Sequence, residues 1–238
     1  MNRQPLKGLL LFLFFSAKGH LVMTGVLMLG AIGFALAFGT TPMIGFIAMF
    51  IVPTMSLMTL ASTEKAEKNK WETFQLSMPV KRQNVVTARY AFYFSLVALA
   101  LFMTGIAEGL ALLLDHLDVV EHGSFRLGGI GPMAEVMEAL TITSIRISIQ
   151  ITLLSMGSAF LSAALYFPLA YSIFKGKEEL ISILVLVGNF ILTALLLWLA
   201  SSLEFSFSQT VMLGVLAPFF LVVLSYFFSV KFYQKIDV

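Results

Sequence analysis

The sequence predicts an all-α integral membrane protein with six transmembrane helices and both termini in the cytoplasm. Three observations carry this. Hydrophobic residues make up 59% of the chain and charged residues 12%, and the mean hydropathy is +0.94; this is membrane composition, not that of a soluble domain. A length of 238 residues accommodates about six helices at ~20 apolar residues per crossing and little else, so one transmembrane domain, 1–238, is expected. Finally, every Lys and Arg except Arg126 and Arg146 falls in one of four places. These are the N-terminal segment (Arg3, Lys7, Lys18), the stretch 65–89, the turn at Lys175 and Lys177, and the tail at Lys231 and Lys235. Basic loops stay on the cytoplasmic side, and these four share a side only if the chain crosses six times.

The elements follow in chain order. Residues 1–19 form an N-terminal interfacial helix. Arg3, Lys7 and Lys18 fall within about 60° of one another on a helical wheel, while Leu9, Leu10, Phe12, Leu13 and Phe15 cover much of the rest. The cations reach headgroups and the apolar face enters the bilayer. A cleaved signal peptide is the competing reading, but Phe14 and Ala17 make a poor small-residue cleavage site. Residues 21–63 carry no charge, too long a run for one span and right for two, at about 20–38 and 43–62. Gly39-Thr40-Thr41-Pro42 supplies the turn between them. Pro53 is the expected kink of the second span. The third span covers 89–114, and 115–146 is the extracellular segment. The fourth, fifth and sixth spans cover 147–174, 180–202 and 207–229, joined by a basic turn at Gly176 and a short outer loop at Glu204. Residues 141–152 alternate polar and β-branched side chains, the period of a strand. An isolated strand at a membrane would leave its backbone unpaired, so the expectation is a helix entering the fourth span. Ser155, Ala159 and Ala163, spaced by four, mark a helix-packing face.

The cytoplasmic loop 63–88 is the only inner loop long enough to do more than connect. Trp71, Phe74 and Met78 recur at i, i+3, i+7, the spacing of an amphipathic helix between spans two and three, and Glu64 can pair with Lys68 one turn on. Pro79 drives Met78 out of the helical region and suits the first position of the next helix. The expected shape is helix, corner, then a long helix that becomes the third span. Such a corner either conveys force to a protein docked beneath or anchors the loop with Trp71 at headgroup depth, and one amphipathic pattern serves both.

Glu67, Trp71 and the run Leu76-Ser77-Met78-Pro79-Val80-Lys81-Arg82, followed by Val85-Val86 and Ala88-Arg89-Tyr90, resemble the signature loop of small bacterial ABC-2-type permeases. These are the membrane subunits of ATP-binding-cassette exporters, and the likeness is greatest to the subgroup containing the phenol-soluble-modulin exporters. Met78 stands where Leu is more usual. The resemblance implies a bacterial plasma-membrane, multi-pass subunit that pairs with an identical or closely related permease as a homodimer or heterodimer. It implies separate ABC ATPase subunits docked below, with ATP and Mg bound there and no cofactor or metal bound by this chain. Loop 63–88 would then be a coupling helix with Pro79 at its corner: Trp71, Phe74 and Met78 fill the ATPase groove, and Glu67, Lys81 and Arg82 contact its rim. The absence of a Gly-x-x-x-x-Gly-Lys-Ser/Thr loop fits nucleotide bound in trans. Neither a His-Glu-x-x-His array nor a Gly-x-Ser-x-Gly elbow occurs. Net charge of +2 is explained by topology and gives no reason to expect nucleic acid.

Polar residues within spans are the remaining candidates. Ser182, Asn189 and Thr193 fall within about 40° on the fifth helix, with Phe190 beside them; they either bond to a neighbouring helix or line a translocation path. Phe46, Phe50 and Leu57 form an apolar face on the second span, with Met43, Met49, Met55 and Met58 nearby. Deformable surfaces of this kind suit substrates of varied shape, and equally suit lipid. Glu108 stands inside an apolar run near the outer edge of the third span, and Arg146 is placed to pair with it. The function expected is export of an apolar or amphipathic substrate, such as a peptide or toxic amphiphile. The alternatives are a proton-driven secondary transporter using Glu108, and an intramembrane enzyme using Glu108, His116 and Glu204.

Overall fold

The computed structural model describes residues 4–19, 52–54, 56–60, 81–116, 134–171, 178–202 and 206–235, together with seven scattered positions between 21 and 33. No strand occurs among the described residues. Six labelled helices follow in order: α1 (Gln4–Ser16), α2 (Arg82–His116), α3 (Ala134–Ala170), α4 (Glu178–Ser202), α5 (Phe207–Val211) and α6 (Ala217–Lys235). A π-helical turn, Met212–Leu216, joins α5 to α6. Of the first two expected spans the structure describes helical positions only at 21, 22, 25, 26, 29, 30 and 33, and at 52–54 and 56–60.

Among the described residues three helical stretches are long and apolar enough to cross a membrane: Gln83–Leu110, Ile149–Ala170 and Met212–Gln234. They coincide with the third, fourth and sixth expected spans. In the fifth, Leu180–Leu195 is an apolar stretch of a helix that runs on to Ser202. The ambiguous stretch 141–152 lies inside α3 as helix, because a helix meets its backbone hydrogen bonds internally where a lone strand cannot. Helix also extends back through 134–146, part of the segment expected outside the fourth span.

The interior is organised around α3, which packs against α6, α4 and the π turn, while α2 packs against α1, α6 and α3. Leu9, Leu13 and Ala17 of the N-terminal segment are buried, and Phe14 meets Phe92 edge-on with centroids 5.0 Å apart. Lys7 and Lys18 stay exposed. Where α2, α3 and α6 converge, Tyr90 stacks on Phe167 at 3.9 Å and meets Tyr226 edge-on at 5.4 Å. Phe160 bridges Phe94 and Phe219. Geometries of this kind add roughly 0.5–1.5 kcal/mol per pair beyond area burial.

Polarity runs inside out. On α6 the buried positions include Ser225 and Ser229, whereas Phe219, Phe220, Phe227 and Phe228 face outward, Phe220 at 66% exposure. On α4 the buried stripe is Ile181, Ser182, Val185, Asn189 and Thr193, and Ile183, Leu184, Val187 and Ile191 face outward. Water would reverse this arrangement; hydrocarbon favours it, because polar groups avoid lipid and apolar ones do not. Several buried hydroxyls donate within their own helix: Ser56 to Val52 O, Thr104 to Ala100 O, Ser162 to Ser158 O and Thr193 to Asn189 O. This is how a lipid-embedded helix carries Ser and Thr without unpaired donors.

The α3–π contact is backbone on backbone. A Cβ added at Gly157 would overlap the Gly214 carbonyl oxygen and stand 2.7 Å from its carbon. Pro218, four residues after Gly214, has no N–H for the turn below and crowds its carbonyls. The chain widens there into the π turn, in which the Ala217 N–H reaches Met212 O.

Candidate functional site

The best-defined arrangement is at the start of α2, where the loop 63–88 ends. Lys81 is exposed and its carbonyl accepts from the Asn84 N–H at 2.8 Å, which turns the chain into the helix. From Arg82 the helix runs unbroken through Thr87, Arg89 and Tyr90, three residues committed to neighbouring helices. The Thr87 hydroxyl donates to Gln83 O at 2.8 Å. Its hydrogen is therefore used, and Tyr226 is the donor in the 2.9 Å contact with Thr87 Oγ1. The Tyr90 hydroxyl lies 2.7 Å from Ser225 Oγ and 3.0 Å from Ser229 Oγ, all three groups buried. Arg89 donates to the Tyr171 hydroxyl at 3.4 Å and its guanidinium carbon lies 5.6 Å from that ring's centroid, a cation–π approach. One turn further, the Tyr93 hydroxyl donates to Ala159 O on α3 at 2.8 Å.

Of the residues proposed to meet an ATPase, Glu67, Trp71, Phe74, Met78 and Pro79 lie outside the described residues, as do Phe46 and Phe50. Lys81 stands at the exposed entry to α2, and Arg82 is the helix's first residue. The α4 stripe divides: Ser182, Asn189 and Thr193 are buried with Asn189 at 3% exposure, whereas Phe190 faces outward at 55%. A separation of one residue on a helix is a turn of about 100°, so Phe190 cannot share the face of Asn189. The Asn189 side-chain oxygen accepts a long 3.5 Å bond from Thr193. Its amide nitrogen has no hydrogen-bond partner among the described residues. Glu108, half-buried on α2, accepts from the Thr152 hydroxyl on α3 at 2.6 Å. Arg146 lies in α3 six residues, about 1.7 turns, before Thr152.

Reading the sequence did not single out the hydroxyl cluster of Thr87, Tyr90, Ser225, Tyr226 and Ser229. A signal was present: Ser225 and Ser229 lie four apart in an otherwise apolar run, which puts both on one face. Their partner on a helix more than a hundred residues away could not be read from spacing. The small-residue face was found, since Ser155, Ala159 and Ala163 are all fully buried, but the backbone contact with the π turn is made at Gly157 instead.

No curated protein and no solved structure matches this chain. A family model described as ABC-2 family transporter protein matches residues 8–121, a stretch that contains most of α1, the uncharged run, the loop 63–88 and the whole of α2 with its hydroxyl contacts. Over that stretch, just under half of its length, the chain is similar to ABC-2 family transporter proteins, and the match supports an ABC-2-type permease.

Proposed function

We propose that this chain is the transmembrane subunit of an ATP-driven exporter in the bacterial plasma membrane. It crosses six times with both termini in the cytoplasm. It works as a dimer with an identical or related permease and takes its energy from separate ABC ATPase subunits that hold ATP and Mg. Trp71, Phe74 and Met78 seat in the ATPase, Pro79 forms the corner behind them, and Glu67, Lys81 and Arg82 lie at the rim of that contact. The observation that carries this reading is the family match running through the loop 63–88 into α2. The unbroken helix from Arg82 onward supports it, because a stiff helix conveys displacement from loop to membrane interior. The cargo is apolar or amphipathic, a peptide or toxic amphiphile, passing the Phe46 and Phe50 face and the α4 stripe.

Vesicles containing this chain and its ATPase should transport a fluorescent amphiphile only with ATP, unaffected by a proton uncoupler, and the purified chain alone should not hydrolyse ATP. Transport that persists without any ATPase and collapses with the uncoupler would instead favour the proton-driven alternative through Glu108.

Asn189 gives a sharper prediction about the path. An amide nitrogen buried without a partner costs about 1–3 kcal/mol, and among the described residues none stands against that of Asn189, so Asn189→Leu should melt at the same or a higher temperature than the native chain. If this stripe meets the cargo, export falls in the same variant. A stabilised variant with undiminished export would remove Asn189 from the path.

A further inference from the structure

We propose that the Tyr90 hydroxyl is a positioning group that fastens the inner end of α2 to α6, so that the two move as one unit pivoting on the Gly157–Gly214 contact. The fastening is built from two parallel ties. Tyr90 reaches Ser225 and Ser229, one turn apart on α6, and Tyr226 donates to Thr87, one turn before Tyr90 on α2. A single hydrogen bond would let one helix roll on the other. Two ties at i, i+3 spacing on α2 and i, i+1, i+4 on α6 oppose both rolling and sliding. The Tyr90 ring is held independently by Phe167 and Tyr226, so the hydroxyl is presented in one place.

The pivot lies further along α6. From Ser225 back to Gly214 is about 16 Å at 1.5 Å per residue, and across that interval Pro218 and the π turn interrupt regular helical bonding. At Gly214 the contact with α3 is made by backbone at Gly157, with the Leu154 side chain beside it; two facing glycines bring no side chains of their own to interlock, which makes this the point about which one helix can tilt on the other. A displacement of α2 from the loop side is therefore passed to α6 beyond the π turn, against the α2–α3 contacts of Tyr90 with Phe167 and Tyr93 with Ala159 O.

The fastening itself is a property of this chain; its use in coupling rests on the exporter reading above. The chain contains no Cys, so paired spin labels can be placed cleanly at Gln83→Cys with Lys231→Cys, both exposed positions on α2 and α6. In the full-length chain without ATPase, this pair should give one narrow distance. Tyr90→Phe keeps the ring and removes the hydroxyl, and should lose that single distance. Ser225→Ala with Ser229→Ala should do the same by deleting the partners. With ATPase bound, the native 83–231 distance should not change between nucleotide-free and ATP–vanadate states. A second pair across the π turn, Met212→Cys with Lys231→Cys, should shift. Tyr90→Phe should then hydrolyse ATP but lose export. A narrow 83–231 distance in both hydroxyl-deleted variants would overturn the proposal. Loss of the narrow distance in the chain alone, with nucleotide moving neither pair, would uphold the fastening while contradicting the exporter reading.

Discussion

Alanine at Gly157 is expected to be the most damaging single-methyl change in the described part of the chain. The new Cβ would overlap the Gly214 carbonyl oxygen, and a backbone carbonyl inside a helical turn cannot swing aside as a side chain does. Relief requires α3 and the π turn to separate, which loosens the packing of the central helix against α5, the π turn and α6. Overpacking typically costs about 1–3 kcal/mol and occasionally more, and a backbone obstacle places this case at the upper end. The expected readout is a large fall in melting temperature in detergent, with aggregation on size exclusion. Two graded controls accompany it. Gly214→Ala meets only the end of the Leu154 side chain, at 3.0 Å, and should be mild because that methyl can rotate away. Gly105→Ala and Gly188→Ala enter open space and should be neutral or gain up to about 1 kcal/mol from helix propensity. Equal effects at 157 and 188 would mean that the α3–π contact is not as close as described.

The second large effect concerns the loop. Trp71→Ala and Phe74→Ala, separately and together, should abolish recovery of the ATPase in a pull-down while leaving the permease in the membrane fraction. The reasoning is that of any interface anchored by a few buried aromatic residues, where truncating one costs roughly 2 kcal/mol or more and an apolar groove is left facing water. Lys81→Ala, at the exposed entry to α2, should weaken recovery far less, since rim charges contribute little. Undiminished ATPase recovery in both aromatic variants would reduce the loop to an interfacial anchor.

Much of the fold was legible because the bilayer imposes simple rules on sequence. The uncharged run 180–202 stands where α4 lies at Glu178–Ser202, while α6 ends at Lys235, beyond the expected 229. The helical reading of 141–152 followed from backbone satisfaction, although its β-branched alternation argued for a strand. What spacing could not reveal was pairing between distant helices. Tyr90 with Ser225 and Ser229, or Gly157 with Gly214, depend on which faces of separated helices meet, and no local period encodes that. Phe190 stands beside Asn189 in sequence, and the 100° step between neighbours buries Asn189 and turns Phe190 outward. Glu108 was recognised as a residue needing a partner, and the structure supplies the Thr152 hydroxyl on the next helix.

The cytoplasmic position of the loop is the condition on which the coupling account stands, and it can be read directly. In a chain that lacks Cys, Lys70→Cys is labelled in intact cells with a membrane-impermeant maleimide and again after permeabilisation. The account predicts labelling only after permeabilisation. Labelling in intact cells would put the 63–88 loop outside the cell, out of reach of any nucleotide-binding partner.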